Sequence, residues 1–228
     1  MAYILAIETS TEICSIALGK DAQCLALVEN DKENSHAEKI LLYVDEVLQQ
    51  ANISLSELSA VCISEGPGSY TGLRIGTSSA KGLCYALNIP LIAVSTLQSM
   101  AWGAREKFPN HNQYCPMIDA RRMEVYSAFY DSDLNIVVPP INVIVDENAY
   151  SEFLQNDAVV FSGNAVEKTK SLLTSGGNAV FSETKTSARY LLELGYKKYM
   201  QKDFADTAYF EPFYLKEFQS GIPKVKGL

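Results

Sequence analysis

The apolar positions change period along the chain. Tyr3 to Thr9, Ile13 to Gly19 and Cys24 to Glu29 are short apolar or alternating runs parted by polar turns, which predicts three consecutive strands. From Ser35 the period becomes helical. Ala37, Ile40, Leu41, Val44, Leu48 and Ala51 form one apolar stripe, with Ser35 as N-cap and Glu38 completing a capping box. Leu42 and Tyr43 fall beside that stripe and widen it beyond what one sheet needs, a sign of a second contact surface. A buried strand at Ala60 to Ile63, a helix opening near Ser69 or Thr71, a strand at Pro90 to Val94 and a helix from Thr96 to Arg105 follow. The polar run PNHNQ (109–113) is the best boundary, because the same order then begins again. Tyr114 to Asp119, Glu124 to Tyr130 and Ile136 to Val145 read as strands, Asp146 caps a helix through Leu154, Ala158 to Phe161 is a strand and Ala165 to Leu173 a helix. A last strand at Ala179 to Phe181, a helix from Ser187 to near Gln201 and an irregular tail with Pro212 and Pro223 complete the chain. Both halves, 1–108 and 109–228, thus read strand, strand, strand, helix, strand, helix, a repeat in element order and not in residues.

The run CISEGPGSYTGLRIGTSSAKG, Cys62 to Gly82, joins a strand through a Gly-rich turn to a helix studded with small residues. Gly72, Gly76 and Ala80 recur every fourth residue and line one helical face that can approach another backbone closely. Such a turn can cradle phosphate on free N–H groups, and such a face can dock a second helix; the plainer account is a tight turn packed inside the domain. Spacing trims the phosphate option. Gly66, Gly68 and Gly72 are one residue too widely spaced for the dinucleotide fingerprint, and no G-K-[ST] follows. Pro67 and Thr71 stand where a nucleophile elbow around Ser69 needs glycine.

Composition narrows the classes. Lys plus Arg number 19 against 27 Asp plus Glu, a formal charge of -8, so strong unaided binding to RNA is not expected. Five scattered cysteines without a CxxC pair read as reduced core residues of a cytoplasmic protein. MAYILAIETS lacks a basic leader region and no apolar run approaches a membrane span, so no membrane association is expected. His36 and His111 are the two histidines of the chain; a His-rich metal site cannot be built, no metal is expected, and no HExxH occurs.

The duplicated unit resembles the actin-like (ASKHA, ribonuclease H-like) α/β fold, in which two strand-turn-strand loops grip a nucleotide between two lobes. By that resemblance the first loop is Glu8, Thr9 and Ser10, and the second is Asp119, Ala120, Arg121 and Arg122. Nucleotide-binding members place glycines in the second loop so that its backbone reaches phosphate, whereas this chain has arginines, so weak or vestigial ATP/ADP binding is the expectation, with no cofactor required. The plainer account is that Glu8 and Asp119 end strands and cap hairpins.

Four ordered stretches, ILAIETSTEICSIAL, SEGPGSYTGLRIGTSSAKGL, PLIAVSTLQSMA and MIDARRMEVYSAFY, are similar to the TsaB (YeaZ) family of tRNA threonylcarbamoyladenosine biosynthesis proteins. The resemblance covers most of Tyr3 to Tyr130. It implies a paralogue of TsaD, the threonylcarbamoyl transferase, whose His-x-x-x-His metal pair corresponds here to Thr96 and Met100, so no catalytic residue is expected. It further implies a partner role with a TsaD-type paralogue and a TsaE-type ATPase, a homodimer when alone, and docking through the first-half helices, His36 to Ala51 and Thr71 to Leu87. On those helices His36, Tyr43, Tyr70, Gly72, Arg74, Gly76 and Ala80 are the expected interface residues. The alternative is an ATP-dependent phosphotransferase of the same superfamily. A glycoprotease-type peptidase has the least support, since two histidines leave few candidates for a triad.

Overall fold

The computed structural model describes residues 1–30, 36–174 and 177–216, with the side chains of the first helix described from Lys39 onward. Ser35 and the side chains of His36 and Glu38, and with them the expected capping box, lie outside the described residues.

The first sheet runs β3-β2-β1-β4-β5, built from β1 (Tyr3–Glu8), β2 (Cys14–Lys20), β3 (Gln23–Asn30), β4 (Ala60–Ser64) and β5 (Leu91–Val94). β1 pairs antiparallel with β2 and parallel with β4. Its two faces differ in residue size. Leu5, Ile7, Ile16, Leu18, Val61 and Ile63 point to the side covered by α1 (His36–Ala51) and α2 (Tyr70–Leu87). Ile4, Ala6, Ala17, Ala60 and Cys62 point the other way, and there the small residues let α6 (Arg189–Gln201) settle close to the strands. A Cβ on Gly195 of α6 would lie 2.8 Å from Cys62 Sγ, and one on Gly19 of β2 would lie 2.7 Å from a Leu192 methyl. Leu191 and Leu192 are completely or almost completely buried, each worth roughly 1.5–3 kcal/mol by apolar transfer.

The second sheet runs β10-β9-β6-β7-β8 from β6 (Gln113–Asp119), β7 (Glu124–Asp131), β8 (Ile136–Ile144), β9 (Val159–Ser162) and β10 (Ala179–Phe181). α4 (Ser151–Asn156) and α5 (Val166–Leu173) cover the face of Cys115, Met117, Val125, Phe129 and Phe161. Its opposite face, with Tyr114, Ile118, Ala128 and Tyr130, packs on Leu97, Met100, Ala101 and Ala104 of α3 (Thr96–Lys107).

The two sheets therefore exchange helices. α3 comes from the first half and covers the second sheet, while α6 comes from the second half and covers the first. The pair meets in the middle layer, where Gly103 lies against the Tyr190 ring and Arg189 Nη2 donates to Glu106 Oε2 at 2.7 Å. The strands pass from the first sheet to the second between β5 and β6, on either side of α3, and α6 and the segment after it return to the first sheet. The tail is irregular, as expected, through residue 216, where it is also pinned; Pro223 lies outside the described residues. Ala205 N donates to Leu91 O at the edge of β5 (2.8 Å), Lys81 Nζ donates to Ala208 O (2.9 Å) and Phe213 N donates to Glu65 O (2.7 Å). Lys216 then pairs with Glu124 of the second sheet, so residues 205–216 form a strap between the lobes.

Two local expectations need correction. Asp146 starts no helix. Its carboxylate accepts from Asn148 N at 2.9 Å in a turn, and α4 begins at Ser151 behind Tyr150 at φ 63, because a short polar side chain can satisfy its own following backbone. Leu41, placed in the buried stripe of α1, is 58% exposed, and Val47 takes the core position instead. The duplicated two-lobed actin-like α/β fold expected from the element order is the fold observed.

Candidate functional site

The carboxyl ends of β1, β4 and β5 face those of β6 and β9 across the junction of the lobes, where a phosphate-gripping site of this fold would lie. The first loop is sealed. Glu8, Thr9 and Ser10 are 0%, 2% and 0% exposed. Glu8 Oε1 accepts from Ser10 N (2.6 Å) and Ser64 Oγ (2.9 Å), while Oε2 has no hydrogen-bond partner among the described residues. Burial pushes the Glu8 carboxyl above the usual carboxylate range, against the lowering effect of those bonds. Thr9 Oγ1 donates to Gly72 O at 2.8 Å, and Ser10 O accepts the Ser69 N–H at 2.6 Å. The N-terminal amide that could have met a phosphate is therefore spent on the neighbouring loop. Across the junction, Thr11 and Thr186 share a 2.6 Å hydroxyl bond, Ser15 Oγ accepts from Ala188 N at 2.8 Å and Asn164 Nδ2 donates to Glu12 Oε2 at 2.8 Å.

The second loop is held by a lysine. Lys168 Nζ of α5 donates to Asp119 Oδ1 (2.5 Å), Arg122 O (2.9 Å) and Glu124 O (2.7 Å), and Asp119 Oδ1 also accepts from Arg121 N (2.7 Å). Asp119 and Arg121 are both exposed. Thr96 and Met100 are fully buried at the start and middle of α3.

The glycine spacing of the opening run now has a physical cause. Gly66 adopts φ 116 with the Phe213 carbonyl against it, and Gly68 faces the Ser10 backbone. A Cβ at Gly72 would sit far inside van der Waals distance of Thr9 O, and one at Gly76 would collide with Thr9 Oγ1. Gly72, Gly76 and Ala80 are buried against the first sheet and its loop, so the expectation that this stripe presents itself to a partner is corrected. The plainer account, a turn packed inside the domain, is the one observed.

The outward face of α2 is a different stripe: Thr71, Arg74, Ser78, Gly82 and Tyr85 are exposed, and nothing lies within 4 Å of a Cβ built on Gly82. Tyr85 is 88% exposed. On α1, packed beside α2 over the same sheet face, Leu41 and Leu42 are 58% and 64% exposed, so both helices carry apolar side chains open to solvent. Of the remaining expected interface residues, Arg74 stands over the Tyr70 ring at 4.1 Å, and the Tyr214 ring lies tilted against Tyr70 with centroids 4.8 Å apart. Tyr43 is half-buried and its hydroxyl accepts from Asn30 Nδ2 at 2.9 Å. The side chain of His36 lies outside the described residues. Sequence reasoning missed Ser78, Gly82 and Tyr85, although Ser78, Gly82 and Ala86 carry the same i, i+4, i+8 signal as the buried stripe.

Among the described residues no helix is long and apolar enough to cross a membrane, and no group of three His, Cys, Asp or Glu is placed to hold a metal ion.

The family model for TsaD, tRNA N6-adenosine threonylcarbamoyltransferase, matches residues 28–221. The "tRNA threonylcarbamoyladenosine biosynthesis protein TsaB" of Haemophilus influenzae is 32% identical over 230 residues, covering 93% of each chain. Its namesake in Escherichia coli is 42% identical over 132 residues, 58% of this chain, and the match spans just over half, 56%, of that relative's own length. The solved structure of YeaZ from Pseudomonas aeruginosa superposes with a TM-score of 0.82 at 25% identity, covering 94% of this chain and 100% of that one. Matched along nearly its whole length in both sequence and backbone, the chain belongs to the TsaB (YeaZ) family of TsaD-type proteins.

Proposed function

We propose that this chain takes part in forming N6-threonylcarbamoyladenosine in tRNA as the non-catalytic partner of a TsaD-type threonylcarbamoyl transferase, docking through the outward faces of α1 and α2. The observation that carries the reading is the contrast between the two sides of α2. The inner side is closed on Thr9 and Ser10, with Thr9 Oγ1 donating to Gly72 O and Ser10 O accepting from Ser69 N, which supports a structural role for the first loop. The outer side exposes Ser78, Gly82 and Tyr85, and α1 beside it exposes Leu41 and Leu42, apolar side chains that a partner's helices can cover. A TsaE-type ATPase joins this pair, and in the absence of the paralogue two copies of the chain associate through the same face.

Mixing the protein with the TsaD-type protein of the same organism, TsaE-type ATPase and ATP gives a heteromeric peak in size-exclusion chromatography. Leu42→Asp with Tyr85→Ser abolishes that peak while thermal unfolding stays as in the parent. No complex at micromolar concentrations, or a double variant that associates normally, overturns the docking assignment. Tight Mg-ATP binding by the isolated chain in calorimetry would instead favour a phosphotransferase, and a tRNA-modification rate unchanged by omitting the protein would sink the assigned role.

A further inference from the structure

The charges at the β6–β7 turn do not cancel. Asp119, Arg121, Arg122, Glu124 and Lys168 meet there, joined by Lys216 from the strap. Both acids are taken by lysines: Asp119 by Lys168 at 2.5 Å and Glu124 by Lys216. Four cations against two acids leave an excess of two positive charges on a chain whose formal charge is -8. That excess sits on Arg121 and Arg122, which are both exposed, and among the described residues neither guanidinium makes a hydrogen bond or ion pair. Their backbones stand at φ 71 and φ 48, a conformation that side chains other than Asn and Asp rarely adopt. Two adjacent arginines therefore occupy positions that local backbone preference disfavours, and among the described residues their guanidinium groups gain no hydrogen bond or ion pair in return.

The turn is also continuous with the proposed docking side. Lys216 lies two residues beyond Tyr214, whose ring packs on Tyr70 at the start of α2. Arg121 and Arg122 thus sit at the second-lobe end of the strap whose first-lobe end lies beside Tyr70 and Arg74. A guanidinium presents its donors in a planar fork that matches paired phosphate oxygens, and it stays charged at every working pH.

We infer that the Arg121–Arg122 turn is a contact point for a phosphodiester backbone, gripping an RNA strand presented alongside the docking face. That the RNA is tRNA rests on the proposed function; the phosphate chemistry rests on the turn itself. The contact is weak alone, since the rest of the surface is acidic, and it gains from a partner that holds the strand in place.

The test uses the full chain, alone and with its TsaD-type partner, and a fluorescein-labelled unmodified tRNA transcript followed by anisotropy between 50 and 200 mM salt. Arg121→Asn with Arg122→Gly removes both cations and installs residues that suit positive φ, so the melting temperature is kept or raised. The expected loss at low salt is about tenfold in affinity, with the slope of log K against log salt reduced by about 1.5–2, as for two lost phosphate contacts. An unchanged slope and affinity in the variant, or no tRNA binding by the parent in either form, overturns the inference. So does a variant that fails to pair with the TsaD-type protein in the absence of RNA, because the arginines would then serve an acidic protein surface. If the parent fails to pair, the docking reading falls, and the anisotropy of the chain alone still decides the arginines.

Discussion

Gly72→Ala tests whether α2 is sealed onto the β1–β2 loop. The added Cβ meets Thr9 O at a separation that real Cβ atoms do not show, and the obstacle is backbone, so no rotamer change relieves it. Helix and loop must part by about 1 Å, an overpacking cost of roughly 1–3 kcal/mol. That movement strains or breaks two hydrogen bonds, Thr9 Oγ1 to Gly72 O and Ser69 N to Ser10 O, each worth about 1 kcal/mol. The better helix propensity of alanine returns about 1 kcal/mol. The net destabilisation is about 3 kcal/mol, which at roughly 3 °C per kcal/mol for a chain of this size lowers the melting temperature by about 9 °C. Gly82→Ala is the matched control: same helix, open space around the new Cβ, and an expected gain of about 2 °C. Differential scanning fluorimetry and urea unfolding of the two variants read both signs. If Gly72→Ala melts with the parent, or if the two substitutions shift the midpoint equally, the assignment of inner and outer faces is wrong. Gly76→Leu, which an outward-facing stripe would tolerate, is expected to fold worse still.

Two further outcomes follow from buried groups. The Glu8 carboxyl titrates above its unfolded value, so the folded state binds the proton more tightly; this stability is fully present below about pH 4.5 and is lost as pH rises through the folded-state pKa. Glu8→Gln keeps the acceptor for Ser10 N and Ser64 Oγ without a charge, so urea midpoints measured from pH 4 to 9 should fall less with pH in the variant, and parallel curves would refute the burial argument. Burial pushes the Cys14 and Cys84 thiols to about 11 and raises those of Cys62, Cys115 and Cys24 as well, but Cys24 alone of the five is half-buried and open to a reagent. In native protein at pH 8 an aromatic disulfide reagent should therefore titrate Cys24 fast and the other four on the unfolding timescale; four or five fast thiols would contradict the packing of both sheets.

Element order was legible because the central strands of both sheets are buried on two faces and read as near-continuous apolar runs, while the helices carry a 3.6-residue stripe. Which helix covers which sheet was not. Leu97, Met100, Ala101 and Ala104 show that α3 has a buried face, yet nothing in their spacing says that the face belongs to a sheet formed later in the chain. A trace of the answer exists in residue size. Ala6, Ala17, Gly19, Ala60 and Cys62 alternate with Leu5, Ile7, Ile16, Leu18 and Val61, so one face of the first sheet is shallow and awaits a helix that can come close. Gly195 in α6 is the complementary mark. Reading it requires matching two small surfaces 130 residues apart in sequence, which periodicity within a window cannot do.

The same limit governs the candidate site. α2 carries two small-residue stripes, Gly72, Gly76, Ala80 and Ser78, Gly82, Ala86, and the i, i+4, i+8 pattern is identical in both. Burial separates them, because Leu73, Thr77 and Cys84 share the first stripe's side and turn it toward Ile63 and Thr9. Strict glycine is needed where backbone meets backbone, so the stripe with two glycines facing a loop is the one fixed by folding. The stripe of Ser78, Gly82 and Ala86 can vary without cost to the fold, and the exposed Tyr85 on the same helix and Leu41 and Leu42 on α1 contribute little to the packed core. Solvent-facing apolar side chains on helices whose inner faces are already satisfied have no role in holding this chain together, and that is the physical ground for proposing that another protein covers them.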